Sequence, residues 1–247
     1  MTPAANIALR VAQRVGDKLV QQLDRKFQKS DEPLDSESLL DLNTFGIKLA
    51  TEELNQAHPD DSVVVELDTN GQPGADYAWL VTYSGVEAQR RFLPEFSICV
   101  TRFEKNVATA CAIYSPMRQE EFTAAKGKGV GFNGRRVRGT GASTVEGASA
   151  AIVGTTTPSF IAGTVATGDT LRDLAWASTA RVDLAIALDL PIDYKPTLNL
   201  LFTEAGHLVG DRKGGPVSSS STDLVAAPPK AFKLLIPALR QHLAEEK

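Results

Sequence analysis

The chain has 247 residues, 43% of them hydrophobic, enough for a continuous core in one large α/β domain or two small ones. A net charge of −4 and a pI near 5.5 give no global electrostatic reason for nucleic acid as the main partner, so any such binding has to be local. Two cysteines, Cys99 and Cys111, are too few for a disulfide scaffold or a zinc cluster. No run approaches the ~18 to 20 apolar residues of a membrane span and the N-terminal residues lack a signal-peptide core, so a cytoplasmic setting is expected.

Apolar residues at Ile7, Val11, Val15, Leu19, Leu23 and Phe27 form a single stripe at helical spacing and predict an amphipathic helix over residues 6–27. The acidic, serine-rich stretch 30–38 reads as a loop before a second helix over 37–57, which buries Leu39, Leu42, Phe45, Leu49 and Leu54. The β-branched run 62–67 predicts a strand covered on both faces, with Glu66 near its C-terminal end. Residues 68–75 are turn-rich. Residues 79–83, 96–102, 107–114 and 121–125 read as strands; FEKN links the second and third in a hairpin, and Asn133-Gly134 is a strong hairpin-turn signal.

Beyond Thr140, a short strand over 150–153 precedes a Thr/Pro loop. A helix is expected at 169–179, a strand at 182–188, and a helix at 197–205 that stops at Gly206. Short strands at 208–210 and 224–227 flank a Gly/Ser loop. The last helix, 230–245, carries Pro237, which should kink or break it. Strands and helices alternate without a repeat or a long linker, so one compact α/β unit spans residues 1–247.

The residues supply little obvious chemistry. His58, His207 and His242 lie far apart and read as solvated or helix-end side chains. KGKGVG (126–131) lacks the GK[ST] that would complete a phosphate loop. Lys126, Lys128, Arg135, Arg136 and Arg138 crowd one hairpin; a solvated face is the first reading and an anionic partner the alternative. The serines 218–221 lack a nucleophile elbow and read as a loop. Carboxylates able to hold Mg²⁺ must converge from strand ends, where only Glu66, Asp189 and Asp193 are placed.

Taken in order, NIALRVAQRVGDKL, YSPMRQEEFTAAKGKGVGFNGRRVR (114–138), TGDTLRDLAWASTARVD (167–183) and LLFTEAGHLVGD (200–211) resemble the inositol monophosphatase family of Mg²⁺-dependent sugar phosphatases along most of the chain. The resemblance implies a layered αβαβα sandwich of the sugar phosphatase type and a homodimer. The stretch after Pro158 is about twenty residues shorter than the family pattern.

The departures fall on the family's metal motifs. Glu66 matches the leading glutamate of a Glu-Glu pair, but Leu67 replaces its neighbour. Where the family reads Asp-Pro-[Ile/Leu]-Asp-Gly-Thr, this chain has Thr82 for the first aspartate and Ser84 or Gly85 for the second. In the third motif, Trp-Asp, Asp193-Tyr194 puts the acid one position early, so Tyr194 occupies the ligand position and Pro196 follows. The upstream Asp-Val-Thr motif becomes Asp41-Leu42-Asn43, and Ala187 stands at the sugar-contacting acid.

Two-metal hydrolysis needs charged oxygens to hold the ions close together. The expectation is a family member that has lost Mg²⁺-dependent phosphomonoesterase activity and acts as a binding or interaction protein. It has no cofactor, and its partner is a protein or a small anionic ligand, with no membrane and no specific nucleic acid indicated. Glu66 and Asp193 are the residual catalytic candidates; Glu87, Arg90 and Arg91 are candidates for binding an anion without metal. The alternative is an active Mg²⁺ phosphatase of an inositol or related sugar phosphate, with its site rebuilt from Glu66, Asp68, Glu87, Asp189 and Asp193.

Overall fold

A computed structural model describes residues 2–218 and 221–245. Two long helices open the chain, α1 (Pro3–Phe27), capped by Thr2, and α2 (Ser36–Ala57), capped by Asp35. They bury Val11, Val15, Leu19, Leu42 and Leu54 against a seven-stranded sheet, while Phe45, expected in the core, is exposed. That sheet runs in chain order: β1 (Ser62–Val64), β2 (Tyr77–Ser84), β3 (Ser97–Glu104), β4 (Val107–Ser115), β5 (Glu120–Ala125), β6 (Gly129–Phe132) and β7 (Arg135–Val137). The hairpin expected across FEKN turns on Lys105-Asn106 alone, Phe103 and Glu104 extending β3, and the Asn133-Gly134 turn is present as expected; both pairs have positive φ at each position. A short helix, α3 (Val86–Arg90), sits between β2 and β3.

A second sheet has the order β11 (Leu208–Gly210), β12 (Leu224–Ala227), β10 (Leu184–Ala187), β8 (Ala148–Val153), β9 (Ile161–Val165). Between the sheets lie α4 (Thr170–Ala175), which continues as a 3₁₀ turn (Trp176–Thr179), and α5 (Lys195–Glu204). The last helix, α6 (Pro229–Glu245), packs Phe232, Leu235 and Leu239 on the outer face. The layers are therefore αβαβα.

Several expectations need correction. The strand expected at 62–67 ends at Val64 and is a partly exposed edge strand, paired only with β2. Glu66 falls in the following bend, because the Leu67 amide donates to the Asp193 carboxylate instead of a ladder partner. The supposed loop after Pro158 contains β9, an edge strand parallel to β8. Residues 154–160, which join them, contain no helix, whereas such crossovers usually carry one. The helix α6 runs through Pro237 unbroken, since the proline lies on the exposed face where water can take the freed carbonyl. Of the serine loop, Ser219 and Ser220 lie outside the described residues.

Candidate functional site

The strand β2 alternates faces, so Trp79 and Val81 enter the helix-side core and Leu80, Thr82 and Ser84 point to the opposite face, where Ser84 meets the start of α4. Thr82 is buried, and its hydroxyl has no hydrogen-bond partner among the described residues. Cys99 stands directly across from it on β3. The Cys99 Sγ lies 3.3 Å from Thr197 Oγ1 and 3.5 Å from Thr101 Oγ1, and the two threonine hydroxyls are 2.5 Å apart. Burial pushes the Cys99 thiol up, outweighing these hydrogen bonds, so it stays protonated. Thr82, Cys99, Thr101 and Thr197 thus form a buried neutral cluster joining β2, β3 and α5.

Three residues on, Gly85 has φ 76° and precedes α3. A Cβ there would lie 1.9 Å from the Glu95 carbonyl oxygen, so no side chain fits without moving the 95–96 backbone. Ser84 Oγ accepts from the Leu171 amide at 3.1 Å. The Tyr194 hydroxyl donates to the Tyr83 carbonyl at 2.5 Å.

The turn Ile192–Tyr194 opens α5 and carries Asp193, whose Oδ1 accepts from the Leu67 amide at 2.8 Å. Partial burial raises the Asp193 pKa; that hydrogen bond opposes the rise and the nearby Glu66 charge adds to it. The fold thus brings Glu66 and Asp193 together, with Glu66 exposed. Beside them a cleft of about 360 Å³ opens between Asn70, Gly71, Ile192, Lys195 and Asn199. Lys195 is buried, which lowers its pKa, and its Nζ donates to the carbonyls of Ser218 and Ser221.

Of the other candidates, Asp68 sits beside Leu67 at the edge of this cleft but is held in its own turn, whereas Asp189 and Glu87 lie elsewhere. Asp68 Oδ1 accepts from the amides of Asn70 and Gln72 at 2.8 Å, which closes a turn. Asp189 lines a separate crevice of about 700 Å³ with Arg212 and Arg240. Glu87 is exposed on α3 and pairs with Arg91 at 3.0 Å and Arg90 at 3.6 Å, which lowers its pKa, the Arg91 hydrogen bond most. Arg90 Nε also donates to the Leu34 carbonyl. Among the described residues, no group of three or more His, Cys, Asp or Glu is placed to hold a metal ion.

Two features escaped the sequence reading. Asp169, Arg172 and Asp173 are fully buried. Asp169 Oδ1 accepts from Ser97 Oγ at 2.8 Å and caps α4, while its Oδ2 has no partner among the described residues. Burial pushes its pKa up to about 6, against the pull of the Ser97 hydrogen bond. Arg172 meets Asp173 at 3.3 Å and lies over the Trp176 ring. With Asp169 protonated the trio is neutral. His207, expected to be solvated or at a helix end, does follow the end of α5 but is buried against Phe202 and Gly139; burial lowers its pKa to about 4, so it is neutral.

No protein-family model matches the chain. It is 28% identical to the Nus factor SuhB of Pseudomonas aeruginosa over 269 residues, covering 98% of each chain. It is 25% identical to the Nus factor SuhB of Escherichia coli over 268 residues, covering 99% of this chain and 98% of the other. Its fold superposes on an IMPase of Thermotoga maritima with a TM-score of 0.83 at 16% identity, all of both chains being covered. It superposes on the extragenic suppressor protein suhB of Bartonella henselae with a TM-score of 0.80 at 22% identity, over 97% of this chain and all of the other. The chain has the fold of the inositol monophosphatases and resembles the SuhB proteins over nearly its whole length. It is short against the P. aeruginosa relative: the alignment has 269 positions against 247 residues here, so that relative carries at least 22 residues without a counterpart. No helix is long and apolar enough to cross a membrane among the described residues.

Proposed function

We propose that this chain is an inositol monophosphatase-family protein without Mg²⁺-dependent phosphomonoesterase activity, acting as a binding protein in the cytoplasm. Its full-length relatives carry the name Nus factor, which favours a transcription-related role for the partner it binds. The observation that carries this reading lies at Ser84 and Gly85, the two residues that can stand for the second bridging aspartate: the backbone at Gly85 leaves no room for a Cβ, and the Ser84 hydroxyl accepts from the Leu171 amide. Thr82, at the other aspartate's place, belongs to a buried neutral cluster, and the Tyr194 hydroxyl is taken by a backbone carbonyl. Two neighbouring carboxylates, Glu66 and Asp193, do not match the charge that a pair of Mg²⁺ ions requires. The residues present do not fit the metal centre the family implies, and no hydrolytic step is derived through it.

A rebuilt phosphatase site is favoured only by the proximity of Glu66 and Asp193, since Asp68 is bonded within its own turn and Glu87 and Asp189 lie away from them. A screen of inositol and sugar phosphates with Mg²⁺ separates the two readings. Background rates are expected, and turnover at about 1 s⁻¹ or faster, abolished by Glu66→Gln, would overturn the proposal. The family also points to a homodimer, which light scattering checks; a monomer at micromolar concentration would contradict it.

A further inference from the structure

We propose that the basic hairpin of β5–β7 is a docking surface for single-stranded RNA, held by its phosphodiester backbone. Residues 122–145 contain no carboxylate, yet they carry Lys126, Lys128, Arg135, Arg136 and Arg138. All five are exposed, and none forms an ion pair among the described residues. The carboxylates flanking the hairpin are occupied. Glu204 accepts from the amides of Gly127 and Gly129, Glu121 from Gln13, and Glu120 from Trp176.

Beside the hairpin, against Ala5 in the first turn of α1, runs a groove of about 160 Å³. Its floor is made of Thr123, Gly129 and Gly131, and Lys128, Arg135 and Arg136 stand around it. The Arg136 guanidinium lies over Gly129, 3.2 Å from where a Cβ would be, and a Cβ on Gly131 would come within 2.6 Å of Thr123 Oγ1. The missing side chains let the Arg136 guanidinium and the Thr123 hydroxyl lie close on the hairpin backbone, which puts a charged donor and a hydroxyl at the groove.

Charged side chains on an edge strand also serve to prevent strand pairing. That role accounts for the arginines of β7, the edge strand, but not for Lys126 and Lys128 at the β5–β6 turn or Arg138 beyond β7. The hairpin's aromatic residues, Phe122 and Phe132, are buried against each other, so no ring is offered to a base. Recognition therefore rests on the backbone and has no sequence preference. The groove is narrow and no helix projects from this face, which suits one strand rather than a duplex. The choice of RNA over DNA rests on the transcription-related reading above.

Fluorescence anisotropy with a labelled oligouridine tests the proposal. Three to four phosphate contacts predict an affinity loss of about 20- to 50-fold between roughly 50 and 200 mM salt. Replacing Lys128, Arg135 and Arg136 together by Gln should remove most of the binding and flatten the salt dependence. A control with Lys48, Lys230 and Lys233 replaced by Gln makes the same change in charge and should bind as the unaltered chain does. Circular dichroism checks that both variants fold. Equal affinity in the two triple variants, or preferential binding of polyglutamate, would overturn the proposal; oligothymidine of the same length should bind comparably, because the contacts are to phosphates. Each of those results leaves the phosphatase screen, and hence the proposed function, untouched.

Discussion

Placing an aspartate back at position 82 tests whether the inherited cleft still accepts metal. Thr82 is 6% exposed and faces Cys99, Thr101 and Thr197, none of which carries charge. A carboxylate there would be buried without a partner, at a cost of about 3 to 5 kcal/mol when ionised. It would take up a proton instead, so the loss should be smaller near about pH 5 than near about pH 8. Thr82→Val is the matched control. The native hydroxyl has at most a weak interaction with the Cys99 thiol, so exchanging it for a methyl should change stability by less than about 1 kcal/mol. Urea unfolding of the three proteins, each with and without millimolar Mg²⁺, gives these differences from the midpoints. The reasoning fails if Mg²⁺ restores Thr82→Asp by more than about 2 kcal/mol, the gain expected from an ion at roughly a hundred times its Kd. It also fails if Thr82→Val is clearly destabilised.

Two buried titrating groups should act in opposite directions. His207, with its pKa lowered from 6.5 to about 4, contributes stability that is present above pH 6.5 and lost as pH falls through 4, about 3 kcal/mol in all. Asp169, with its pKa raised from 3.8 to about 6, contributes stability present below 3.8 and lost as pH rises through 6, again about 3 kcal/mol. Relative to the unaltered chain, His207→Leu should therefore become progressively less stable as pH rises from 4 to 6, and Asp169→Asn progressively more stable; parallel pH profiles in urea unfolding would refute both assignments. Gly85→Ala, with a clash against Glu95 and a positive φ, should cost at least about 2 kcal/mol, and an unchanged thermal midpoint would show that the loop yields.

Much of the fold was legible because local signals agreed with it. The stripe from Val11 to Leu23 became the buried face of α1, and Asn133-Gly134 made the turn between β6 and β7. The failures have physical causes. β9 is a five-residue edge strand with three exposed residues in succession, so it carries no alternating pattern. At the site, the substitutions at Thr82 and Gly85 could be read from the resemblance, but the reason an acid cannot stand at Gly85 is the Glu95 carbonyl, ten residues away. Asp169 and Arg172 look like ordinary surface charges in TGDTLRD, and only the packing of α4 between two sheets buries them.

Titration calorimetry with Mg²⁺ and Mn²⁺ measures whether the cleft beside Glu66 and Asp193 holds metal. The account predicts no saturable binding at millimolar metal, and the same flat trace after Glu66→Gln or Asp193→Asn. Two ions bound at micromolar Kd, with the heat lost on replacing Glu66 or Asp193, would contradict it and return the cleft to the phosphatases.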